Sequence, residues 1–233
     1  MPKKYFRIIR VARRVLFILT FTAIAAAVLI SAAGLRIELK ERRIIQTSLF
    51  VVSSQPVDAE LWFNEEVREG RSPWRVSGIM AGIHDLKIKK DDYNTWSKTI
   101  SVAAGETVLV DEPILFMSKP EVVSLDANDQ NGILAKLNNL DRDNELTVKR
   151  DTELWWRDRL VTRMSNPVYQ PRMYQDDKHV SFISGGSLHI TDIDGSNTYK
   201  PVNIGESDGY IFINKGATLV YEAGDKILAL RIR

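Results

Sequence analysis

Twenty consecutive residues without a charge, VLFILTFTAIAAAVLISAAG from Val15 to Gly34, constrain this chain more than any other feature. At about 1.5 Å rise per residue such a helix spans roughly 30 Å, the depth of a bilayer's hydrocarbon core. Backbone groups in lipid have no water to bond, so the segment is expected to be helical. Lys3, Lys4, Arg7, Arg10, Arg13 and Arg14 precede it, with no acid among them. A basic flank of this kind stays on the cytoplasmic side. Residues 1–14 are therefore expected to form a cytoplasmic tail and 15–35 a single transmembrane helix, with everything beyond lying outside the cytoplasm. Two other readings stand beside this signal anchor. Ser31-Ala32-Ala33 has the small residues of a cleavage site, which would make the segment a removable leader. A buried core helix would also be apolar, but it would need partner helices that the sequence does not offer. Residues 36–46, RIELKERRIIQ, favour helix and are expected to prolong the membrane helix as a short stalk. Their basic residues would meet anionic headgroups or simply solvent.

Beyond the anchor the composition is that of a folded protein, 44% apolar and 27% charged. The six basic residues of the tail exceed the net charge of +2, so the remainder is net acidic and nucleic acid is not an expected partner. There is no cysteine, which excludes disulfides, thiolate–zinc sites, cysteine nucleophiles and lipid attachment through a thiol.

From Thr47 to Met117 the pattern changes to short alternating runs separated by turn residues: SLFVVSS, AELWFN, HDLKIKK, WSKTISV and TVLVDEPILF. In HDLKIKK, His84, Leu86 and Ile88 point one way and Asp85, Lys87 and Lys89 the other, a strand with one wet face. In WSKTISV, Trp96, Ile100 and Val102 share a side that Lys98 interrupts. Strands this short over so small a span indicate a small antiparallel β-sandwich. The segment also resembles a PEGA domain. Pro56-Val57-Asp58-Ala59 stands for the motif that names the family, Ser72-Pro73 for its Thr-Pro, Gly82-Ile83-His84 for its Gly-x-His, Asp92-Tyr93-Asn94-Thr95-Trp96 for its Gly-Tyr-x-x-Trp, and Ala104-Gly105-Glu106-Thr107 for its Ala-Gly-Glu-Thr. Asp58 and Asp92 replace turn glycines, and aspartate tolerates left-handed geometry. The resemblance implies an extracytoplasmic sandwich that binds surface polymers or proteins, and it implies no catalytic residues. His84 has no ligand-spaced acid or histidine beside it and is expected to be packed or turn-stabilising. Trp62, Trp74 and Trp96, with Tyr93, are the candidate ligand or partner surface, an aromatic platform for sugars. The competing reading places the tryptophans in the core.

The stretch FISGGSLHITDIDGSN, Phe182 to Asn197, invites three readings: phosphate loop, metal loop or strand turns. A repeat decides among them. At an offset of 39, Val180 falls on Leu219, Phe182 on Tyr221, Gly185 on Gly224 and Leu188 on Ile227. At an offset of 34, Leu146, Val148, Leu154 and Trp156 fall on Val180, Phe182, Leu188 and Ile190. Each copy is strand, tight turn, strand, the pattern of β-propeller blades. Gly185-Gly186 therefore aligns with Gly224-Asp225 and Asp151-Thr152 as hairpin turns of positive φ. A phosphate loop would need a following helix, and Asp192-x-Asp194-Gly195 lacks the length and closing glutamate of a calcium loop. These copies resemble the blades of TolB-like propellers, with Asp177 where that family has glycine.

The expected architecture is thus mainly β: a transmembrane helix, a stalk, a PEGA-like sandwich over 47–117, a turn-rich linker with one degraded strand over 118–145, and incomplete β-propeller-like blades over 146–233. With so few blades, the edges are expected to be covered by packing against the first domain, or by a homo-oligomer that closes a ring, or to mark a shortened member of a longer family. No G-x-S-x-G occurs, and His84, His179 and His189 are scattered, although the last two lie across one hairpin. No enzyme activity, cofactor or metal is expected. The chain is expected to bind a cell-wall polysaccharide or envelope protein, or alternatively to assemble into an envelope complex through its strand edges. A glycosidase using two distant carboxylates is the remaining catalytic reading.

Overall fold

The computed structural model describes residues 3–32, 34–38, 43–111, 113–125, 145–205, 209–224 and 226–233. The protein is mainly β, with one N-terminal helix and several small sheets. Helix α1 (Lys3–Ala32) carries a stretch, Val11–Ile30, of mean hydropathy 2.0 and with none of it buried. That stretch is long and apolar enough to cross a membrane. Its two threonines return their hydroxyls to the helix, Thr20 to the Leu16 carbonyl at 2.8 Å and Thr22 to that of Ile18 at 2.9 Å, so neither leaves an unsatisfied donor.

The described residues of the expected helical stalk are strand rather than helix. Strands β1 (Leu35–Glu38) and β2 (Arg43–Gln46) pair antiparallel, Leu35 opposite Gln46. Gly34 precedes them in left-handed conformation at φ 68, and in Arg36–Glu38 and Arg43–Gln46 strand pairing overrides the intrinsic helix preference. Strands β3 (Ser48–Val52), β4 (Glu60–Phe63), β5 (Glu66–Arg68), β6 (Trp74–Ile79), β7 (Gly82–Lys89), β8 (Trp96–Val102) and β9 (Thr107–Val110) follow. They form two sheets, ordered β6-β3-β9 and β5-β4-β7-β8. The alternation holds: Leu86 and Ile88 are buried, with His84 half-buried on the same side and Asp85 exposed.

The chain divides into two compact units, one of Met1–Val51, Arg75–His84 and Ile100–Leu109, the other of Val52–Trp74, Asp85–Thr99 and Val110–Arg233. Trp62, Trp74, Trp96, His179 and His189 belong to the second, and His84 to the first.

Within that second unit lie β10 (Glu121–Val123), β11 (Leu146–Lys149), β12 (Glu153–Trp156), β13 (Arg159–Arg163), β14 (Val168–Met173), β15 (His179–Ser184), β16 (Ser187–Asp192), β17 (Tyr210–Ile213), β18 (Thr218–Ala223) and β19 (Lys226–Arg231). They form three antiparallel sheets, β11-β12-β13, β14-β15-β16 and β10-β19-β18-β17. The offset of 39 carries β15 onto β18 and β16 onto β19 end to end, and the offset of 34 carries β11 and β12 into β15 and β16. In the described part of the expected linker Glu121–Val123 forms a strand, and residues 126–144 lie outside those described.

Strand β15 is buried along its whole length because both faces of its sheet are covered. Val180 and Phe182 pack with Leu146, Leu154, Val161 and Val168 on one side. Ile183, Leu188 and Ile190 pack with Tyr210, Leu219, Tyr221 and Leu230 on the other. Each such fully buried aliphatic or aromatic side chain stabilises the stack by about 1.5–3 kcal/mol. The three sheets are therefore layered with β14-β15-β16 in the middle, and a run with no wet face is what that position requires.

Candidate functional site

The quoted stretch resolves into two turns. Ser184 and Ser187 are directly opposed, which leaves Gly185-Gly186 as a two-residue hairpin at φ 57 and 72, the pairing that type I′ geometry demands. In the first copy the left-handed pair is Arg150-Asp151 rather than the expected Asp151-Thr152, because Lys149 opposes Glu153 and the turn is one residue longer. Asp177, standing where a glycine was expected, has φ 58, and Asp92 has φ 64. Asp58 does not adopt left-handed geometry; its carboxylate binds Lys90 at 2.6 Å instead.

The second turn, Asp192 to Asn197, holds an edge of the β5-β4-β7-β8 sheet. The Trp96 indole N–H donates to Asp192 Oδ2 at 3.0 Å, the Ser97 amide to Asn197 Oδ1 at 2.9 Å, and Lys98 Nζ meets Asp194 Oδ2 at 3.0 Å. Lys98 breaks the apolar face of its strand for this reason. Asp194 is desolvated, which opposes ionisation, but bonds from Ser196 and Lys98 outweigh that and bring its pKa down to about 2. Gly195, at φ 87, is obligatory: a Cβ there would lie 2.0 Å from the Val161 carbonyl oxygen. In the D-x-D-G piece both carboxylates are engaged within the protein, Asp192 by Trp96, Ser196 and Asn197 and Asp194 by Lys98 and Ser196.

Behind it is a buried charge cluster. His179, 1% exposed, directs Nδ1 to Asp176 Oδ2 at 2.6 Å. Its Nε2 lies 3.0 Å from Asp192 Oδ1, an ion pair whose N–H is aimed off the oxygen. Burial alone would lower the His179 pKa, but the two carboxylates win and raise it to about 9. Asp176 is partly desolvated, yet the His179 bond keeps its carboxyl below the usual range. Asp192 is further met by Ser196 Oγ at 3.0 Å and Asn197 Nδ2 at 2.8 Å. His189 does not join them. It opposes Phe182 and stacks on that ring at 5.0 Å, and burial lowers its pKa. The two histidines across the hairpin thus point to different faces. Among the described residues no group of three or more His, Asp or Glu is placed to hold a metal ion.

The expected aromatic platform is not assembled. Trp74 and Trp96 are 4% and 2% exposed, so both belong to the core. Trp62 is half-buried with Lys89 Nζ 4.1 Å above its ring, and Tyr93 is half-buried beneath Lys90 at 5.2 Å. His84, packed edge-on against Phe50 at 5.9 Å and bonded to the Met80 carbonyl at 2.8 Å, is a structural residue.

What the sequence did not disclose is a cleft of about 580 Å³, lined by both polar and apolar groups, at the turn end of the sheet stack. Gln175, Asp176 and Lys178 come from the turn before β15, and Lys215 comes from the equivalent turn one repeat later. Ser53, Ser54, Gln55, Ser72 and Pro73, with Asp111 and Pro113, also line it, and Arg233 donates to the Lys215 carbonyl. Lys178 Nζ is 2.5 Å from Asp111 Oδ2. The 39-residue repeat was the available signal, since it places both turns at the same end of successive sheets.

Residues 47–114 match the PEGA domain family model. The span agrees with the residues that carried the resemblance, ending three residues short of Met117. A comparison with curated proteins finds no match.

Proposed function

We propose that this protein is a non-catalytic, single-pass membrane protein, its N-terminus cytoplasmic and its β body outside, that presents a binding surface to a polymer or protein of the cell envelope. The observation that carries the reading is the cleft, where equivalent turns of two repeats meet residues of the PEGA-matching segment, in a chain whose N-terminal helix is apolar and long enough to tether it. The three layered sheets are read as successive blades of a TolB-like, propeller-type array, with β10 completing the last. Two carboxylates, Asp111 and Asp176, line the cleft, so a glycosidase has to be weighed. Such an enzyme needs one carboxyl with a raised pKa. The His179 contact pushes Asp176 the other way, and Asp111 is engaged by Lys178.

A second reading, assembly of an envelope complex through strand edges, is favoured by β10 and β13, whose Val122 and Leu160 are 76% and 37% exposed. Incubating the full chain in nanodiscs with isolated cell-wall material and with solubilised envelope proteins separates the two. Retention on the wall material supports the first, and a stoichiometric protein partner supports the second. Hydrolysis of the retained polymer that vanishes in Asp111→Asn/Asp176→Asn would overturn both.

A further inference from the structure

Two of the three cations that line the cleft have no acidic side-chain partner among the described residues. Lys178 is taken up by Asp111, and Asp176 by His179. Lys215 and Arg233 also line the cleft, and among the described residues neither is ion-paired to an Asp or Glu side chain. Arg233 donates to the Lys215 carbonyl, which pins its guanidinium beside the Lys215 turn. That turn holds Asn214 and Lys215 in left-handed conformation at φ 53 and 55, so the lysine stem leaves the backbone from a fixed point. Around the two cations stand neutral hydrogen-bonding groups, the Gln55 and Gln175 amides and the Ser53 hydroxyl, over apolar contact from Ile114. The volume falls within the roughly 300–1,000 Å³ of ligand sites.

We infer that this cleft binds an acidic polysaccharide, its carboxylates met by Lys215 and Arg233 and its hydroxyls by the surrounding amides and hydroxyl. The inference rests on the binding-module reading and names its ligand class. A guanidinium matches a carboxylate in a two-pronged geometry, and an ammonium supplies a point charge beside it. Amides and hydroxyls both donate and accept, which suits sugar hydroxyls. An acidic peptide would answer the cations and reach the neutral groups only through its backbone, whereas a uronic sugar carries hydroxyls beside every carboxylate.

The test uses the full chain in zwitterionic nanodiscs, with polygalacturonate, dextran and polyglutamate as probes in titration calorimetry. Polygalacturonate should bind, more weakly at high salt, and dextran should not. Lys215→Gln and Arg233→Gln should each weaken binding about tenfold, and the double variant should abolish it, with unchanged circular dichroism. Lys200→Gln, outside the cleft, should bind as the parent does. Equal binding of dextran, preference for polyglutamate, or undiminished binding by the double variant would overturn the inference. Retention on whole envelope material without binding to polygalacturonate sinks the ligand class alone. Absence of both sinks the module reading with it.

Discussion

The His179 cluster makes a prediction whose sign and size follow from its geometry. In the unfolded chain the imidazole titrates near 6.5; folded between Asp176 and Asp192 it titrates at about 9. Between those values the folded state holds a proton that the unfolded state has lost. The stabilisation is therefore complete below about pH 6.5 and disappears as pH rises through about 9. Each tenfold change in proton affinity is about 1.4 kcal/mol, so the contribution is roughly 3 kcal/mol, a large share of a typical domain's stability. The side chain is 1% exposed, so solvent screening removes little of it. Urea titrations of the detergent-solubilised chain at about pH 6 and about pH 9.5, followed by tryptophan fluorescence, measure this directly. Trp96, bonded to Asp192, sits at the cluster and reports on it. His179→Gln removes the titrating group while keeping a donor. The parent should lose roughly 3 kcal/mol more than the variant across that window. Parallel losses in parent and variant would refute the argument.

Gly195→Ala should destabilise by about 2–4 kcal/mol, combining left-handed strain with the Val161 carbonyl overlap, seen as a lower thermal midpoint. Trp96→Phe keeps the ring but loses the bond to Asp192, and should cost about 2 kcal/mol in urea. Trp62→Phe, whose ring is half-buried under Lys89, should cost less than about 1 kcal/mol in the same assay. Thr20→Arg/Phe21→Arg places two charges mid-helix at about 3 kcal/mol each, and should move the chain from the alkali-washed membrane pellet to the supernatant.

Much of this fold was legible because its signals are local. The uncharged run becomes α1, the alternation in HDLKIKK becomes a one-sided strand, and the 39-residue offset lands on matching strands. Residues 36–38 and 43–46 carry charged helix formers, and propensity takes no account of the cross-strand pairing of Leu35–Glu38 with Arg43–Gln46 that overrides it. Trp74 and Trp96 were candidates for a platform because a tryptophan's side chain looks alike in a core and on a surface until its neighbours are known. The cleft and the His179 cluster were out of reach for a different reason. Asp111 meets Lys178, and Trp96 meets Asp192, across long stretches of chain, and no spacing rule connects them.

The sheet β10-β19-β18-β17 joins Glu121–Val123 to Lys226–Arg231, with Glu121 bonded to Arg231 110 residues further on. Everything between those strands is enclosed by a clasp of backbone bonds rather than by a covalent tie. A protease that cuts the intervening segment would leave two fragments travelling as one particle, separable only by denaturant. The same clasp cannot shut until β19 has been made, so a chain emerging from its N-terminus leaves this sheet open until the last repeat arrives.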